Sequence, residues 1–176
     1  GYDYLGNWEE RPGNSNIEVD YLRANLRERG YSSELIQKAI FAFAKTAGDQ
    51  TKSLYDVNKA VYSLLRYGVQ VKPEVGANTA TVHLIDWQEP LNNHFALAEE
   101  VTVTSEHTKR PDVVLYVNGI ALAVLELKRS VVSVSEGIRQ NLDNQKKAFI
   151  RPFFTTVQLV MAGNDTEGLR YAVIET

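Results

Sequence analysis

The run Arg110-Pro111-Asp112-Val113-Val114-Leu115-Tyr116-Val117-Asn118-Gly119-Ile120-Ala121-Leu122-Ala123-Val124-Leu125-Glu126-Leu127-Lys128 constrains the fold more than any other part of the chain. Two apolar stretches rich in Val and Leu, broken only by Asn118-Gly119, predict antiparallel strands joined by a tight turn. In the second strand both even and odd positions are apolar, from Ile120 and Ala121 to Leu125 and Leu127, the pattern of a strand covered on two sides. That strand nevertheless ends in Glu126 and Lys128. A lone charge is costly to bury, so such groups must be paired, bound to metal or turned to a cleft.

Glu126 and Lys128 are two apart and share one side of their strand. Whether Asp112 joins them depends on the turn. A strict two-residue loop places Val117 opposite Ile120 and Asp112 opposite Leu125, which sends Glu126 to the other face. A three-residue loop or a single bulge reverses that outcome, and Gly119 can supply the left-handed residue of a three-residue loop. The expectation is that Asp112, Glu126 and Lys128 converge. Two carboxylates gather a hard divalent cation through oxygen, and an ammonium beside them orients or activates water. Phosphodiester cleavage needs that set.

The segment resembles the PD-(D/E)XK nuclease motif, with Pro111-Asp112 as its first half and Glu126-Leu127-Lys128 as its second. The longer run "RPDVVLYVNGIALAVLELKRS" resembles the nuclease signature of the restriction (R) subunit of type I restriction-modification enzymes. So does the order of elements from about Ile17 onward, including "HLIDWQEPLNNHFALAEEVTV" before the motif and "GIRQNLDNQ" after it. The resemblance implies an α/β, restriction-endonuclease-like mixed central sheet flanked by helices. It also implies Mg²⁺-dependent hydrolysis of double-stranded DNA, with Asp112, Glu126 and the Leu127 carbonyl on the ion and Lys128 on the water or the scissile phosphate. Glu18 is open to two readings, since it completes a capping box with Ser15 and matches a first-helix Glu that helps hold metal in relatives of this fold. Gln140 matches the Gln of a Gln-x-x-x-Tyr motif on the following helix, where Asn144 replaces Tyr. Both would face one side of that helix.

The rest of the sequence narrows the classes. The 176 residues are 44% hydrophobic and 23% charged, which fits one domain over 1–176 with an irregular lead over 1–14. No apolar run reaches the ~20 residues that cross a bilayer, so a cytoplasmic location is expected. The chain has no cysteine, and His83, His94 and His107 lack spacing partners, which leaves a carboxylate-bound cation rather than a zinc centre. The net charge of −3 calls for local DNA contact, with Lys146 and Lys147 as phosphate candidates, or for partner subunits. Those implied by the resemblance are the methyltransferase and specificity subunits. ATP would serve only a motor, whose Gly-x-x-x-x-Gly-Lys loop is absent from this chain. The alternative is a stand-alone or inactive nuclease-fold module that binds DNA or assembles without chemistry. A sugar- or nucleotide-processing enzyme would need a Gly-rich strand-to-helix loop, which the sequence lacks.

Capping and periodicity predict helices from Ser15 to Gly30, over Ser33 to Ala47 and from Ser53 to Gly68. Strands are expected at Val69–Lys72, Thr79–Trp87 and Phe95–Thr104 ahead of the hairpin. Ser133 and Glu136 open a further helix, read with Ile138, Leu142 and Phe149 toward the sheet. Strands at Thr155–Met161 and Leu169–Ile174 follow, separated by a turn at Gly163-Asn164-Asp165.

Overall fold

The computed structural model describes every residue except Val75, Ala77, Glu175 and Thr176. Three helices come early: α1 (Val19–Glu28), α2 (Ser33–Ala47) and α3 (Leu54–Tyr67). Ser32 and Ser53 cap the latter two, their side chains accepting from the backbone N–H of Leu35 and Asp56. The apolar stripes turn inward as the periodicity requires. Leu22 and Leu26, Ile36, Ile40 and Phe43, and Val57, Val61 and Leu65 form one core with Val117 and Ile120 of the hairpin. A small antiparallel pair, β2 (Val69–Val71) and β3 (Ala80–Val82), closes its side. The strand expected to continue to Trp87 stops at Val82, and Leu84 to Trp87 belong to a loop.

The main sheet has six strands in the order β1-β4-β7-β8-β9-β10. They are β1 (Asp3–Asn7), β4 (Phe95–Glu99), β7 (Val113–Val117), β8 (Ile120–Leu127), β9 (Leu159–Asn164) and β10 (Gly168–Ala172). Pairs β1/β4 and β8/β9 are parallel and the rest antiparallel. The parallel β8/β9 pair needs a long crossover, supplied by α4 (Val134–Asn144) and a short 3₁₀ turn at Arg151–Thr155. This is a mixed α/β architecture of the restriction-endonuclease kind. A second core joins Trp8 and the sheet residues Ala98, Val114, Tyr116, Val124 and Val160 to Ile150, Phe153 and Phe154.

Several expectations are corrected here. The lead is not irregular, because Asp3–Asn7 forms an edge strand beside β4 and Trp8 is buried against Tyr116. The strand expected over Phe95–Thr104 breaks at Glu100, whose φ is +50°, and the chain restarts as a short pair, β5 (Val103–Thr104) with β6 (Thr108–Lys109). Thr155 lies in the 3₁₀ turn, and β9 begins four residues later and takes in Gly163 and Asn164. Helix α4 buries Val134, Gly137, Asn141 and Asn144, while Ile138 and Leu142 are partly exposed. Its inward face is polar and small, which an apolar stripe cannot reveal.

The hairpin turn is Asn118-Gly119, both with positive φ, at +53° and +78°. Asn118 is fully buried and fully satisfied: its side chain donates to the carbonyl of Leu84 and to Asn93, and accepts from the backbone N–H of His94. Gly119 lies so close to α1 that an added Cβ would sit 2.5 Å from the Glu18 carbonyl oxygen and 2.8 Å from Tyr21 Cβ. Gly119→Ala therefore combines strain with a backbone clash. It is expected to destabilise the chain by about 2 to 4 kcal/mol, measurable by chemical denaturation, whereas Gly13→Ala, at a similar φ of +73° but with open space around it, keeps only the backbone strain of about 1 to 2 kcal/mol.

Candidate active site

The register of β7 against β8 decides the site. Val117 pairs with Ile120 and Tyr116 with Ala121, but Leu115 pairs with Ala123, so Leu122 is an extra residue bulged out of the ladder. Beyond it Val114 faces Val124 and Val113 faces Leu125. One step further, Asp112 stands opposite Glu126. The two-residue turn would have separated the carboxylates, and the bulge returns them to one side.

Glu126 has no exposed surface. Its Oε2 accepts a 2.6 Å hydrogen bond from Gln140 Nε2 and lies 3.8 Å from Lys128 Nζ, while Oε1 is buried without a hydrogen-bond partner. Lys128 Nζ in turn donates to Gln140 Oε1 at 2.7 Å. Gln140 thus ties the carboxylate to the ammonium. Asp112 Oδ2 accepts from the backbone N–H of Leu127 at 2.6 Å, which fixes its carboxylate beside Glu126. Burial is the main reason the Glu126 carboxyl is pushed up to about 8, with the neighbouring Asp112 charge adding to the rise and Lys128 opposing it.

Helix α4 reaches this strand through Gly137. A Cβ there would meet Ala162 Cβ at 3.0 Å, Lys128 Cγ at 3.5 Å and Glu126 Cβ at 3.6 Å. The missing side chain lets the helix lie close to the ends of β8 and β9, and Gln140, nearly one turn on, then falls over the two charges. Sequence reasoning overlooked Gly137, although a glycine inside a capped helix is a signal of close approach. It also overlooked Glu100, whose charge raises Glu126 slightly and which pairs with Arg110 at 2.7 Å; no pattern marks it.

The other expected residues divide. Asn144 lines a cleft of about 490 Å³ together with Lys128, Gln140, Lys109 and Arg139, although its amide is buried and both polar atoms lack partners. Lys146 and Lys147 lie past the end of α4 rather than late on it. They border a separate cleft with Lys52, Ser53 and Arg151, and Lys146 pairs with Asp143 at 2.6 Å.

Glu18 does not join Asp112 and Glu126. Its carboxylate accepts from both terminal nitrogens of Arg11, at 2.7 and 3.1 Å, and from the Ser15 backbone N–H at 2.9 Å, and its own N–H donates to the Gly119 carbonyl at the turn end of the hairpin. Glu126 lies six positions along β8 from Ile120, about 20 Å at the usual rise. Of the capping box only the carboxylate half forms, one turn before α1 begins at Val19. Among the described residues no group of three or more His, Cys, Asp or Glu is arranged to hold a metal ion.

Between about pH 4.5 and about 8 the folded chain holds a proton on Glu126 that the unfolded chain has released, so stability falls as pH rises through that window. Glu126→Gln removes this dependence. At pH 8 the variant is expected to be the more stable form, by on the order of a few kcal/mol in urea titrations, with the advantage vanishing near pH 4. A variant no more stable than the parent at pH 8 would mean that the carboxylate is solvated.

A family model described as the type I restriction enzyme R protein N terminus matches residues 1–176. The chain is also 31% identical over 120 residues to the type I restriction enzyme HindI endonuclease subunit of Haemophilus influenzae. That match covers 64% of this chain and 11% of the subunit, so the chain spans a small part of its relative's length. The match along the whole chain leads to one assignment: this chain belongs to the family of type I restriction enzyme R protein N-terminal domains.

Proposed function

We propose that this chain is the Mg²⁺-dependent DNA endonuclease domain of a cytoplasmic type I restriction enzyme, hydrolysing phosphodiesters of double-stranded DNA at Asp112, Glu126 and Lys128. The observation that carries this reading is the Glu126 carboxylate, fully buried, with Oε1 unpartnered and Asp112 alongside. Such a group is unfavourable as it stands and fits a hard cation that would neutralise it. Asp112, Glu126 and the Leu127 carbonyl are the donors, and the bound ion would lower the pKa of a water and offset charge on the phosphoryl oxygens.

The chain's own groups do the rest. Lys128, held by Gln140, presents its ammonium to the attacking water or the scissile phosphate. Gln140 keeps Lys128 and Glu126 at fixed separation, which limits direct collapse of the ion pair onto itself. Lys109 and Arg139, at the adjoining cleft, supply positive charge for the DNA backbone. ATP hydrolysis and DNA translocation belong to motor domains elsewhere in the enzyme. Methyltransferase and specificity subunits provide DNA sequence recognition.

In the assembled enzyme, Asp112→Ala, Glu126→Ala and Lys128→Ala are each expected to lower plasmid cleavage about a hundredfold or more while ATP hydrolysis and translocation continue. Chelation of divalent cations should stop cleavage by the parent. Full cutting by any of the three variants would remove that residue from the mechanism. Intact cleavage by all three would leave the domain as a nuclease-fold module that binds DNA or assembles without chemistry.

A further inference from the structure

At the turn end of the hairpin, away from the paired carboxylates, a cavity of about 380 Å³ lies between the C-terminal ends of α1 and α3 and the loop after β3. Its size falls in the range of small-molecule sites, roughly 300 to 1,000 Å³. Arg29, the residue that closes α1, and Arg66, in the last turn of α3, enter it from two sides. Tyr31, His83 and Trp87 complete the wall.

The aromatic part is held in place. The Trp87 indole N–H donates to the Leu65 carbonyl at 2.8 Å, which fixes the ring by its edge while 49% of the residue stays open. Arg66 places its guanidinium carbon 5.4 Å from the indole centroid, and the side chain is paired with no carboxylate among the described residues. Arg29 is organised from below: it donates to the His83 carbonyl at 2.8 Å, approaches Asp86 at 3.8 Å and lies 5.6 Å from the Tyr31 ring centroid. Asp86, the one acid in the wall, is already engaged by the backbone N–H groups of Gln88 and Glu89 and by Asn92.

A cation in the last turn of a helix has an ordinary role in offsetting the carbonyl dipoles. That role does not explain a half-open indole fixed next to two guanidinium groups. An anchored aromatic surface with convergent arginines complements a flat π system that carries negative charge.

We propose that this cavity binds a nucleotide unit, with the base laid against Trp87 and the phosphate held by Arg66 and Arg29. The unit is either a free nucleotide or one residue of a single strand. The assignment is independent of the nuclease reading, because the cavity shares no residue with the Asp112, Glu126, Lys128 and Gln140 set.

Intrinsic fluorescence provides the test. The chain has two tryptophans, and Trp8 is only 4% exposed, so quenching by an added solute reports Trp87. Deoxyadenosine monophosphate and a short oligodeoxyadenylate are titrated separately into the parent chain, with inorganic phosphate as the control for charge alone. Saturable quenching by the nucleotide, the oligomer or both, and not by phosphate, is expected. Similar affinity for the two indicates a free-nucleotide site, and binding of the oligomer alone indicates a single-strand site. Arg66→Ala should weaken the interaction about tenfold or more, Arg66→Lys should recover part of it, and Lys59→Ala on the same helix should leave it unchanged. Arg66 and Lys59 are both exposed, so neither change disturbs the core. Absence of saturable quenching by either probe, or equal affinity in Arg66→Ala and the parent, would overturn the proposal.

Discussion

A carboxylate with no contact with water, at the end of an apolar strand, is the constraint around which the rest of this structure is arranged. Left isolated, Glu126 would cost several kcal/mol on ionisation. Three separate features meet that cost in part: Lys128 two positions along the same strand, Gln140 from the overlying helix, and a raised affinity for the proton. None completes the compensation for the ionised form, in which Oε1 has no donor; with the proton in place the carboxyl group hydrogen-bonds to Asp112. Packing depends on the same point, because α4 can lie over Glu126 only where Gly137 contributes no side chain.

The hairpin that carries Glu126 is fixed at both ends by different means. At the turn, the buried amide of Asn118 ties together the loops at Leu84 and Asn93-His94, so the left-handed backbone is held by side-chain hydrogen bonds and by the close approach of α1. At the open end, the backbone N–H of Leu127 holds the Asp112 carboxylate. Structural hydrogen bonds gather at one end and unsatisfied charge at the other, a division expected where one part of an element is scaffold and the other is site.

Much of this was legible in the sequence, and for definable reasons. The turn dipeptide, the two-sided apolar strand and the charges at its end leave few arrangements, and Gln140 was singled out by the family resemblance, which places a Gln on the helix after Lys128. Convergence of Asp112 and Glu126 required either a three-residue loop or a bulge, and the sequence did not choose between them, since Ala121, Leu122 and Ala123 are equally acceptable to a ladder. Glu18 stayed open between a capping and a metal-holding role because its partner, Arg11, lies in a segment with no periodicity. That segment also concealed β1, where Gly6 takes a φ of +106° and pairing with β4 is parallel and remote in sequence. The inward face of α4 was misread for a complementary reason: Gly137, Asn141 and Asn144 are buried by the proximity of the sheet and not by their own apolarity.

The bulge at Leu122 also makes the hairpin's numbering informative in its own right. Around a two-residue turn, facing positions are always separated by an odd count, as Val117 and Ile120 are. Asp112 and Glu126 are fourteen positions apart, an even count, and can face each other only if one strand has a residue to spare. Parity therefore links Asp112 and Glu126 more tightly than distance does. Removing one residue between them interchanges inside and outside for everything beyond the deletion, while removing one from each strand preserves the face and shortens only the reach.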